Sequence, residues 1–124
     1  MPITGVHALV YSPAADELRE VLSRVIGWPH VDAGDGWRIF ALPPAELGVH
    51  PGEPHHELSF ICDDVEATVA ELRAKGLSFR DAPEDRGWGV AVTMVLPGDV
   101  DVLLYEPRHP TAHDTARGAR PSGS

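Results

Sequence analysis

The chain has 124 residues, 43% of them hydrophobic, with twelve glycines, twelve prolines and a formal net charge of −9; that is length for one domain with its own core, built from many short elements. It contains no run of eighteen apolar residues and no basic segment leading into an apolar one, so neither a membrane span nor a signal peptide is expected, and the cytoplasm is the expected compartment. The lone cysteine, Cys62, excludes an intramolecular disulfide and a thiolate-rich zinc site, and the acidic balance argues against nucleic acid as a partner.

Charge is unevenly spread. Residues 108–124 hold Arg108, Arg117 and Arg120 against Asp114, which leaves −11 for residues 1–107. Such a body attracts a cationic ligand, although an acidic surface also serves solubility alone.

In chain order, "GVHALVYS" has the β-branched and aromatic content of a strand. Ser12-Pro13 follows, an N-cap with proline at the first helical position, and Asp16 and Glu17 suit the positive end of the helix dipole. Leu18, Val21, Leu22 and Val25 recur at helical spacing, and Gly27 supplies the left-handed residue that stops the helix. Three short strands are predicted next, over residues 28–33, 37–42 and 46–50, separated by "GDG" and "PPA".

The same order then recurs. "ELSFIC" reads as a strand, Asp63 as a helix cap with Glu66 reaching back, and Val65, Val69 and Leu72 as an apolar stripe ended by Lys75-Gly76. Strands are predicted over residues 77–80, 89–96 and 101–105. Residues 108–124, rich in Pro, Gly, Ser, Thr and Ala, read as a loose tail. Superposing the halves sets Gly27 on Gly76, Trp37 of "GDGW" on Trp88 of "DRGW", Leu42-Pro43 on Leu96-Pro97 and His50-Pro51 on Glu106-Pro107. The shared order argues for a duplicated βαβββ unit, with modules over about residues 3–51 and 56–107 of a single domain, residues 1–107.

The stretches "HALVYSPAADELREVLSRVIGW", "CDDVEATVAELRAKG" and "LLYEP" in this arrangement resemble the vicinal oxygen chelate superfamily, which holds glyoxalase I, bleomycin-resistance proteins, fosfomycin-resistance enzymes and extradiol dioxygenases. The resemblance spans residues 3–107. It implies an α+β fold in which two βαβββ modules form curved mixed sheets around a cavity, and a homodimer.

In metal-using relatives, the first and last strands of each module supply the ligands. The resemblance sets His7 at the first such position, since it precedes Gly27 by twenty residues, and Glu57 at the second, nineteen residues before Gly76. His56 then falls on the rim or the opposite face of the strand unless a bulge intervenes. Glu46 matches a third position, with His50 on the same face. At the fourth, where the family's glutamate precedes the leucine of "LYEP", this chain has Leu103, which cannot ligate; Glu106 has the wrong parity, and Asp101 the right one at the strand's edge.

Two functions follow from the resemblance. One is a metal-free small-molecule-binding protein of bleomycin-resistance type, sequestering an antibiotic or another toxic natural product, cationic or polycyclic, in a cavity lined by His7, Tyr11, Trp37, His50, Glu57, Trp88, Leu103 and Tyr105. The alternative is a lyase, isomerase or dioxygenase using a divalent ion such as Zn, Ni, Mn or Fe held by His7, Glu46 and Glu57. A purely structural or regulatory module with no sizeable cavity is the third class. No Ser-His-Asp or Cys-His pattern and no glycine-rich phosphate loop is present.

Overall fold

The computed structural model describes residues 7–49 and 51–112. Helix α1 (Ala15–Glu20) runs into a π-helical segment (Val21–Ile26), and Gly27, at φ 87°, ends it where the predicted left-handed residue belongs. The amides of Gly27 and Trp28 both donate to the Leu22 carbonyl, which closes the helix end. Helix α2 (Val65–Ala74) ends in the same way, with Gly76 at φ 96° and the Leu77 amide donating back to the Leu72 carbonyl. Its cap is Asp64, one residue later than the predicted Asp63: Asp64 Oδ1 accepts the Ala67 N–H at 3.0 Å. Glu106 Oε1 accepts the Val65 N–H at 3.0 Å, so a carboxylate from the last strand satisfies another first-turn donor.

The second half holds the main sheet. Strands β3 (Ser59–Ile61), β4 (Ser78–Phe79), β5 (Glu84–Asp85), β6 (Gly89–Leu96) and β7 (Val100–Pro107) assemble in the order β3-β7-β6-β4, with β5 also on β6. Strand β3 runs parallel to β7, and the other pairs are antiparallel. The predicted strand–helix–three-strand order is therefore present, with β5 as an added two-residue strand.

Two-residue alternation divides this sheet into faces. Val92, Met94, Leu96, Val102 and Leu104 turn to one side and are buried under Val65, Val69 and Leu72 of α2, with Leu77 and with Leu18 of α1 in the same cluster. Both helices thus cover one face of one sheet. Met94 and Val92 have no exposed surface, and truncating a side chain so enclosed costs about 2–5 kcal/mol. The other face, carrying Thr93, Val95, Asp101, Leu103 and Tyr105, is left without a helix.

The first half departs from expectation. Among its described residues only β1 (His30–Asp32) and β2 (Arg38–Phe40) form, as an antiparallel pair. Residues 7–12 and 41–49 make no strand, against the predicted first and fourth strands of that module; His50 lies outside the described residues. The reasons are local. Pro43 and Pro44 remove donors from one segment, and residues 7–11 have strand-forming side chains but no paired neighbour among the described residues. Their apolar side chains remain in the open: Tyr11 is 84% exposed, Leu47 90% and Val49 88%.

Residues 108–112, placed in the tail by composition, are tied down. Arg108 donates its amide to the Trp88 carbonyl and pairs with Asp85, His109 meets the Tyr105 hydroxyl at 3.1 Å, and the Ala112 N–H reaches Glu46 Oε1 at 2.7 Å. Residues 113–124 lie outside the described residues.

Candidate functional site

The helix-free face of the main sheet forms the floor of a cavity of about 690 Å³, a size suited to a drug-like molecule. Leu103 and Asp101 of β7 and Thr93 of β6 lie on this floor, Leu9, Val10 and Tyr11 make one wall, and residues 56–59 flank it. Arg86 and Trp88, from the bend between β5 and β6, stand at the end nearest Pro107.

The wall at residues 9–11 has no strand pairing and is held through Ser12. Its hydroxyl donates to the Pro97 carbonyl at 2.7 Å and accepts the Ala14 N–H at 3.0 Å, pinning the segment to the β6–β7 turn. Gly98 in that turn has φ 88°, and a Cβ there would lie 2.0 Å from Ser12 Oγ, so only glycine permits the junction.

Of the expected site residues, Tyr11, Glu57, Trp88 and Leu103 are brought together around this cavity. His7 is exposed and does not line it, and Trp37, half exposed near β2, does not either. Tyr105 lies behind the site: its ring packs edge-on against Trp88 at 5.0 Å between centroids. His109 Nδ1–H donates to the Pro110 carbonyl, which leaves Nε2 of the neutral ring to accept the Tyr105 O–H. Burial, with Glu46 nearby, pushes the Tyr105 hydroxyl above the usual phenol value.

His56 corrects the parity argument. It lines the cavity beside Glu57 because residues 55–58 are not yet in strand conformation, so alternation does not separate them. Glu46, expected beside His7 and Glu57, instead accepts the Ala112 N–H with His109 Nε2 at 3.9 Å. Among the described residues, no three His, Cys, Asp or Glu side chains converge in a way that could hold a metal ion. His7, Glu46 and Glu57 are thus not a ready-made ligand set within one chain. Cys62 is half-buried, its thiol directed at the Tyr105 carbonyl at 3.6 Å, and burial raises its pKa, as suits a structural thiol.

Arg86, Thr93 and the wall at Leu9 and Val10 escape the sequence reading. Thr93 left a trace there, as the one hydroxyl within "GVAVTMVL"; its backbone N–H donates to Asp81 Oδ1 at 2.9 Å and its side chain points to Asp81 Oδ2 at 3.4 Å. Arg86 left none, because "DRGW" reads simply as a turn.

The described residues thus form an α+β fold with a hollow on the open face of its main sheet. The chain belongs to the Glyoxalase/Bleomycin resistance protein/Dioxygenase superfamily, whose family model matches residues 6–109. Among solved structures, it is similar to the antibiotic binding protein TnmS3 from Streptomyces sp. CB03234, at 22% identity and TM-score 0.65 over 86% of this chain and 98% of that one. It is also similar to a lactoylglutathione lyase from Agrobacterium tumefaciens, at 15% identity and TM-score 0.61 over 85% and 95% of the two chains. A superfamily member from Sphaerobacter thermophilus DSM 20745 aligns at 21% identity and TM-score 0.57, over 85% and 98%. At such identities the likeness is one of fold. No curated protein sequence matches the chain. No helix among the described residues is long and apolar enough to cross a membrane.

Proposed function

We propose that this protein binds a small toxic natural product, an antibiotic or a compound of that kind, in the cavity on the open face of β6 and β7, without a metal, and that it does so in the cytoplasm as a homodimer. The observation that carries the reading is the cavity of about 690 Å³ with Trp88 at one end and Leu103 on its floor. An indole offers a flat ligand a stacking surface, and leucine stands where a metal-using relative needs a carboxylate. The antibiotic-binding activity of one fold neighbour supports the same class of ligand. The dimer is supported by the exposed apolar side chains of residues 9–11 and by Leu47 and Val49, which a second copy would cover.

The test is a thermal-shift screen of the full chain against natural-product antibiotics, with tryptophan emission followed for each hit. A ligand at a hundredfold excess over its Kd adds about 2.7 kcal/mol to stability, a rise of several degrees in Tm, and Trp88→Ala should weaken binding by about tenfold. The reading fails if no compound shifts Tm while protein purified without chelator carries stoichiometric metal that His7→Ala loses.

A further inference from the structure

We infer that the cavity is bipolar along β7 and takes an elongated amphoteric ligand, with an amine at the Glu57 end and a carboxylate or similar anion at the Arg86–Trp88 end. The inference rests on the binding function proposed above and narrows it to a chemical class. It follows from strand register. Asp101 pairs with Val95 and Leu103 with Thr93, while Ser59 of β3 sits opposite Leu103 in parallel. Glu57, two residues before Ser59, and Asp101, two residues before Leu103, both line the cavity. Arg86 and Trp88 lie at the opposite end, where Asp85 pairs with Val90, which in turn faces Glu106. Tyr105, against which the Trp88 ring rests, lies four positions along β7 from Asp101; at about 3.3 Å per residue these two strand positions are roughly 13 Å apart.

Among the described residues the charges at the two ends are matched only in part. Asp101 is taken by Arg80, whose Nε lies 2.6 Å from Oδ1, but Glu57 has no ion-pair partner among the described residues. Arg86 is ion-paired with Glu84 at 3.7 Å, without a hydrogen bond, and Glu84 is largely exposed. A carboxylate outside any ion pair, Glu57, and a loosely paired guanidinium, Arg86, therefore face the same hollow as Leu103. Neither a purely cationic nor a purely anionic molecule satisfies both. A molecule of matching length with opposite charges at its tips does, and its apolar middle covers Leu103.

The probe is a naphthoic acid with an aminopentyl chain on the far ring, compared by calorimetric titration with its ethyl ester and with its N-acetyl derivative. The zwitterion should bind about tenfold more tightly than either capped form. In Glu57→Gln the advantage of the free amine should vanish while that of the free carboxylate persists, and in Arg86→Gln the reverse; the persisting preference shows that each variant is folded. Equal affinity for all three probes would overturn the bipolar assignment and leave the binding function standing. So would a Glu57→Gln protein that still prefers the amine. If none of the three binds, the assignment also falls, and the antibiotic screen judges the broader reading independently.

Discussion

At the scale of single residues, the contact between Ser12 and the glycine at position 98 controls the cavity wall. Gly98→Ala places a methyl group against Ser12 Oγ and forces a side chain into a left-handed conformation, which alone costs about 1–2 kcal/mol. Ser12→Ala removes the bonds to Pro97 and Ala14 without the collision, a loss of about 1 kcal/mol. Thermal unfolding should therefore rank the wild type above Ser12→Ala and Ser12→Ala above Gly98→Ala; a Gly98→Ala protein as stable as wild type would show that the junction does not constrain the chain. Single residues were legible in the sequence where chemistry alone speaks. Leu103 and Glu57 were named from their places relative to the last strand and a helix-ending glycine, and both line the cavity. Arg86 was not legible, because only the bend between β5 and β6 carries it to the cavity.

Among the elements, the helices were readable and the first-half strands were not, for a physical reason. A helix is specified by contacts three and four residues apart, so Leu18 and the stripe of Val65, Val69 and Leu72 identify their own buried faces. A strand needs a partner that its own sequence does not contain, and residues 7–11 lack one here. Ion pairs tie elements together as well, among them two that shift carboxylate pKa values. Glu20 of α1 meets Arg38 of β2, and Asp85 of β5 meets Arg108 beyond β7. The Arg38 guanidinium, with Arg24 behind it, holds Glu20 below the usual carboxylate range. The Gly87 N–H and then Arg108 do the same for Asp85. Since both native values are depressed, the stability these groups add is present above the unfolded carboxylate pKa and is lost as pH falls through the native ones. Acidification from about pH 5 to about pH 2 should lower Tm, and Glu20→Gln with Asp85→Asn should flatten that acid limb by about 1–3 °C, since exposed pairs contribute little. An unchanged slope in the double variant would remove these pairs from the account.

For the molecule as a whole, one half carries a full sheet under two helices and the other a two-stranded ribbon. The duplication is visible in sequence because matched glycines and helices survive in both halves, yet a repeat does not say which copy of the chain completes which sheet. Residues 9–11, Leu47 and Val49 expose apolar surface of the kind that a second copy buries. Sedimentation of the full chain should give a dimer, and Leu47→Asp combined with Val49→Asp should shift it toward monomer while far-ultraviolet circular dichroism stays unchanged. A wild-type monomer at high concentration would instead leave these side chains as permanent surface.

The hairpin of β6 and β7 bears on how the molecule acquires its shape. Its eight-residue arms are joined through Pro97, Gly98 and Asp99, whereas Ser59 must find Leu103 across 44 positions of chain. Loop closure favours the nearer meeting. The hollow's base should therefore condense first when the full chain refolds, a platform still roofless while the earlier segments search for their places.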